Sequence, residues 1–216
     1  MKFGYEYWKD KKINCLGDSI TCGAGNDGYG WVEFLKEAFP QADIRRHAVS
    51  GSTVAICSRR KEAPFVERFK EMDKDADLTI LFGGINDFIN SVPLGERGNG
   101  QLDSFCGALE HIIVSLQKQN PKGQILLISP MRVNQFKEYP SWYETNGDGH
   151  VLKDYRDALL EIAEYYAVPV LDFYSESQIN AETAEMRRDI LPDGLHPNAE
   201  GHERMARKIA ARILTI

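Results

Sequence analysis

Leu78-Thr79-Ile80-Leu81-Phe82, closed by Gly83-Gly84, reads as a strand ended by a turn, and the fold follows from what flanks it. Upstream, Lys12 to Leu16 is a short strand that ends at Gly17. Trp31, Phe34, Leu35, Ala38 and Phe39 then recur at helical spacing until Pro40 stops them. Ile44 to Val49 reads as a weaker strand, and Pro64 to Met72 as a helix. Downstream, Phe105, Leu109, Ile112, Ile113 and Leu116 trace one helical face, which Asn120-Pro121 terminates. Gln124 to Ser129 supplies another strand. Leu152, Tyr155, Leu159, Ile162 and Tyr166 mark a helix, followed by the short strand Val168 to Asp172. Met205, Ile209 and Ile213, four apart, end the chain as an amphipathic helix. Strands alternating with helices imply βαβ units, hence an α/β fold with a mostly parallel sheet covered on both faces. Ligands of such sheets bind beyond the carboxyl ends of the strands, so strand ends are the place to search. Two long irregular stretches also stand out, Phe88 to Gly100 and Met131 to Gly149, since loops of that length are usually functional or mobile.

The 216 residues are 43% hydrophobic and 27% charged, which suits one domain over residues 1–216 and excludes a disordered chain. Against 32 Asp and Glu stand 26 Lys and Arg, a net charge of −6 that lacks the footprint of a nucleic-acid binder. No apolar run approaches the ~18 residues that span a bilayer. Met1 to Lys12 has no apolar core of a signal peptide, so the expected location is the cytoplasm. Cys15, Cys22, Cys57 and Cys106 form no C-x-x-C pair and have no paired histidines nearby. They read as reduced structural thiols, with no metal site.

Chemistry gathers at four turns. The first strand runs into Gly17-Asp18-Ser19-Ile20-Thr21, which places a serine hydroxyl at the crevice; alone, such a serine more often caps a helix. A serine becomes a nucleophile only when a base takes its proton, and that base needs an acid to orient it. Asp193-Gly194-Leu195-His196-Pro197 supplies a histidine and an aspartate three apart on a turn that can aim both the same way. His47, His111, His150 and His202 have no comparable setting. Acyl transfer also needs donors for the oxygen of a tetrahedral intermediate. Gly83-Gly84-Ile85-Asn86-Asp87 offers the Asn86 amide, and Val49-Ser50-Gly51-Ser52 a backbone N–H, although plain turn chemistry explains either segment alone.

Taken together and in this order, G-D-S, G, G-x-N-D and D-x-x-H resemble the SGNH hydrolase superfamily, the GDSL-type esterases and lipases, from Gly17 to Pro197. The first motif ends in Ile-Thr where the family's name has Leu. The resemblance implies a flavodoxin-like three-layer α/β/α sandwich around a five-stranded parallel sheet. It implies Ser19 as nucleophile, His196 as general base and Asp193 as its orienting acid. The oxyanion hole would be the N–H of Ser19, the N–H of Gly51 and the Asn86 amide. The implied reaction is ester hydrolysis through an acyl-enzyme, with no cofactor, on a small-molecule ester.

Three rival readings compete with this one. Gly23-Ala24-Gly25-Asn26-Asp27-Gly28 matches a dinucleotide fingerprint, with Asp43 downstream, but Asp18 to Cys22 separate it from the strand it should follow directly. Cys22 as a thiol nucleophile lacks a basic neighbour. A non-catalytic ligand- or carbohydrate-binding module on the same fold would have no need of Ser19, Asn86, Asp193 and His196 together. Substrate choice points to the loop with Phe136, Tyr139, Trp142 and Tyr143, and Arg132 at its base, and to Phe88 as a wall beside Asn86. The loop aromatics equally suit a satellite core, or a subunit contact in a homo-oligomer. Short-acyl esters of small molecules or sugars are the expected substrates.

Overall fold

The computed structural model describes residues 4–216, so the first three residues of the Met1–Lys12 stretch lie outside it. Five parallel strands, β1 (Lys12–Gly17), β2 (Asp43–Ala48), β3 (Leu78–Phe82), β4 (Gln124–Ile128) and β5 (Val170–Leu171), form one sheet in the order β2-β1-β3-β4-β5. This is the flavodoxin-like order, in which the chain reverses direction across the sheet on either side of β1. Every residue of the central β3 is buried, which is why its sequence has no polar face. At the edge, β2 buries only Ile44 and points Arg45 and Arg46 outward. Charged edges of this kind discourage pairing with another sheet.

The helices are α1 (Trp31–Ala38), α2 (Phe65–Arg68), α3 (Ile85–Ile89), α4 (Phe105–Gln119), α5 (Leu152–Tyr165), α6 (Phe173–Glu176), α7 (Ala184–Asp189) and α8 (Ala199–Ile213). They cover both faces of the sheet, making a three-layer α/β/α sandwich. One group joins α1 to α8, and another joins α2 and α5 to α4. Local chemistry sets the ends of the long helices. Ser104 accepts from the Gly107 N–H at the start of α4, and Asn198 from the Gly201 N–H at the start of α8. The buried faces follow the expected stripes, Leu109, Ile112, Ile113 and Leu116 on α4 and Met205, Ile209 and Ile213 on α8. Among the described residues, no helix is long and apolar enough to cross a membrane.

Some elements depart from expectation. The helix expected over Pro64 to Met72 is one α-turn followed by a 3-10 turn, Phe69–Glu71. The strand expected from Val168 to Asp172 shortens to Val170–Leu171, and α3, α6 and α7 were not anticipated. No residue of α7 is buried, so it carries no apolar stripe to read.

Candidate active site

Strand register builds the site. Gly17, the last residue of β1, pairs with Ala48 of β2 on one side and Phe82 of β3 on the other. Three adjacent strands therefore end at one level, and the turns bearing Ser19, Gly51 and Asn86 leave the same edge side by side. The point where chain direction reverses is where α/β sheets open a crevice. After β1 the backbone coils tightly, with Cys22 N–H donating to Asp18 O (2.9 Å) and Ala24 N–H to Ser19 O (3.0 Å). Gly51 has a left-handed φ of +79°. Among the described residues, the N–H groups of Ser19 and Gly51 donate to no protein acceptor. Two backbone donors thus remain available at the crevice.

Ser19 Oγ lies 3.0 Å from His196 Nε2, and His196 Nδ1 lies 2.7 Å from Asp193 Oδ2. With Nδ1–H donating to the carboxylate, Nε2 is the ring nitrogen left to accept the serine proton. The other oxygen, Asp193 Oδ1, accepts from the N–H groups of Leu195 (2.9 Å) and His196 (2.7 Å). Partial burial pulls the Asp193 pKa upward, but the His196 side chain and these two N–H groups outweigh it and hold the carboxyl at about 2. Asp193 is therefore a fixed anion at neutral pH.

Two contacts hold the histidine turn in place. Gly194 is left-handed (φ +86°), and a side chain there would stand 2.0 Å from Asn134 O. The loop over residues 131–149 grips this turn through Asn134 N–H, which donates to Gly194 O at 3.0 Å. On the serine side, His202 Nε2 donates to Ala24 O (2.9 Å), and a side chain on Gly25 would stand 2.2 Å from Pro197 O. Gly25 thus lets the loop after Ser19 lie flat on the residue after His196. That contact gives this glycine of the dinucleotide-like string a packing role.

Behind Asn86 lies a buried polar layer. Asn86 Nδ2 donates to Asp18 Oδ2 (3.1 Å) and Ser52 O (3.0 Å), so both amide protons already have protein acceptors. Burial pushes the Asp18 carboxyl up to about 6. It pushes Asp87 up to about 7, although Val54 N–H (2.9 Å) and Ala55 N–H (3.0 Å) both donate to it. Arg68 is also buried and donates from all three guanidinium nitrogens. Nη2 donates to Gly17 O (3.0 Å) and Ser52 Oγ (2.9 Å), Nη1 to His47 O (3.0 Å), and Nε to Ala63 O (2.9 Å). One side chain ties the ends of β1 and β2 to the turn that carries Gly51. Sequence reading passed over Arg68; its signal is a charge sharing the buried side of a helix with Phe65, Phe69 and Met72.

The expected substrate contacts fare differently. Phe88 is not a wall of the crevice: it is 0% exposed, with its ring edge-on to Tyr155 at 5.9 Å. A helical turn, α3, rotates it into the core between Asn86 and α5. Arg132 lies over Trp142 (4.6 Å) and Tyr174 (4.8 Å), while Trp142 Nε1 donates to Glu182 (2.7 Å). These groups form a satellite core, and Tyr143 stands exposed at its margin against Trp142. The loop aromatic that reaches the histidine is Phe136, edge-on to the His196 ring at 5.3 Å.

A family model described as the GDSL-like lipase/acylhydrolase family matches residues 15–204. A curated acetylxylan esterase from Xylanibacter ruminicola is 25% identical over 94% of this chain, which spans only 43% of that protein's length. One solved structure, 33% identical, superposes with a TM-score of 0.91 over 97% of this chain and 98% of its own. Another, of a Lactobacillus plantarum protein 28% identical, superposes with a TM-score of 0.85 over 96% and 98% respectively.

Proposed function

The chain belongs to the GDSL-like lipase/acylhydrolase family, and from that premise we propose that it is a serine ester hydrolase of the carboxylesterase or acetylesterase type, with residues 1–216 acting as one domain. The observation that carries this reading is the unbroken line from Asp193 Oδ2 through His196 to Ser19 Oγ, at 2.7 and 3.0 Å. Ser19 Oγ attacks the ester carbonyl carbon while His196 Nε2 takes its proton. The negative charge on the carbonyl oxygen is met by the N–H groups of Ser19 and Gly51 and by the Asn86 amide. The C–O bond to the alcohol then breaks, and His196 returns the proton to the departing oxygen. A water molecule next gives its proton to His196 and attacks the acyl carbon, and Ser19 leaves with that proton as the acid is released.

Short-acyl esters of small molecules or sugars are the proposed substrates, supported by the distant relative named as an acetylxylan esterase. The four free cysteines fit a reducing compartment and support a cytoplasmic location. The test is a fluorophosphonate probe with p-nitrophenyl acetate turnover. Stoichiometric labelling at Ser19, with both labelling and turnover abolished in a folded Ser19→Ala variant, is the expected result. A wild-type protein that takes no label is a binding module, and the esterase reading fails.

A further inference from the structure

The loop over residues 51–64 carries three consecutive cations, Arg59-Arg60-Lys61, in a chain of net charge −6. Arg59 is committed elsewhere, its Nη1 donating to Asn90 O at 2.9 Å. Arg60 turns toward the crevice. A Cβ built on Gly51 would stand 1.8 Å from Arg60 Nη2, so the guanidinium rests on the Gly51 α-carbon and occupies the space of its missing side chain. The left-handed φ is what demands glycine at position 51, and the missing side chain gives the flexible Arg60 guanidinium its place there.

Arg60 has not spent its donors. Its Nε faces Glu62 Oε2 at 3.0 Å. Among the described residues, neither Nη atom donates to a protein acceptor. The side chain is 23% exposed, open enough to be reached and buried enough to be screened less than a surface charge. A planar cation therefore lies beside the unpaired Gly51 N–H with its outer edge unoccupied. The complement to that edge is a carboxylate, whose two oxygens match the paired N–H groups of a guanidinium.

We propose that Arg60 forms an anion subsite of the ester site, and that the protein's substrates are esters carrying a carboxylate close to the scissile carbonyl. The carboxylate pairs with the Nη edge of Arg60 while the ester oxygen lies at the N–H groups of Ser19 and Gly51. This inference rests on the esterase reading and narrows it to acidic esters.

Paired substrates, each a carboxylate and its methyl ester, test it, with every enzymatic rate taken relative to that compound's own hydrolysis in buffer. One pair is 4-acetoxybenzoate and its methyl ester, with the charge on the alcohol side. The other is mono-4-nitrophenyl glutarate and its methyl ester, with the charge on the acyl side. The readout is kcat/KM for the charged member over that for the neutral member. In wild type this ratio exceeds one for at least one pair and falls as salt rises. In Arg60→Gln the ratio drops about tenfold or more, and Arg60→Lys retains part of it. A ratio unchanged in Arg60→Gln overturns the proposal, even if both esters slow together. Should that variant not fold, a wild-type ratio of one or less, indifferent to salt, overturns it too. Failure of the esterase reading looks different: the wild type then hydrolyses neither member of either pair and takes no fluorophosphonate.

Discussion

Asn86 is the residue at which geometry and proposed role compete. Its amide protons are held by Asp18 Oδ2 and Ser52 O, so as an oxyanion donor it would share a proton already bonded to one of them. Asn86→Ala should lower kcat by about 10²–10³ with little change in KM, as loss of an oxyanion donor does; a loss under tenfold in steady-state kinetics would remove it from that role. Asp193 gives a prediction with a definite pH sign. Its folded pKa, about 2, lies below the ordinary carboxyl value. Its stabilising contribution is complete above about pH 4 and is lost as pH falls toward 2. The difference in Tm between wild type and Asp193→Asn should therefore be largest at pH 5 to 7 and shrink below pH 4. Ser19, Asp193 and His196 were legible because each is a reactive side chain within two residues of a glycine or proline at a segment end. The contacts of Phe136 with His196 and of Arg60 with Gly51 were not, because loop conformation makes them and no periodicity encodes it.

Between elements, the buried guanidinium of Arg68 is the clearest joint. Arg68→Met preserves an apolar stem but leaves Gly17 O, His47 O, Ala63 O and Ser52 Oγ without their donor. Buried acceptors stranded in this way should cost about 2–4 kcal/mol in urea unfolding. kcat should fall more than KM rises, because the turn with Gly51 loses its anchor; an unchanged urea midpoint and kcat would contradict this. Elements were legible in proportion to their burial. β3, β4 and the stripes of α4 and α8 face apolar neighbours and show it in sequence. β2 was weak because one residue of its six is buried. α7 was invisible because none is. α3 was hidden inside the motif it helps to build: Gly84 enters it at φ +103°, and a turn and the start of a short helix look alike from residue types.

Across the whole molecule, the sheet order brings residue 19 within hydrogen-bond distance of residue 196, a separation of 177 positions. The packing of α1 on α8 closes that distance, since one helix follows the serine turn and the other the histidine turn. Motif order along the chain made this arrangement readable, because each motif follows a strand or precedes a helix in the sequence where parallel crossovers would place it. The layer beneath the motifs was not readable, since single residue types do not report how far a carboxyl lies from water. That layer changes the proton inventory of the fold. Unfolded, Asp18 and Asp87 would each lose a proton near pH 4, whereas folded they keep it to about pH 6 and about pH 7. Unfolding between about pH 4 and 7 should thus draw protons off these two acids, while His47 and His202, whose pKa values burial lowers, take protons up; the two acids stabilise the fold less as pH climbs through that range. Calorimetric unfolding in buffers of different ionisation enthalpy reads the net count, and Asp87→Asn should shift that count near pH 5.5 by about one proton toward uptake.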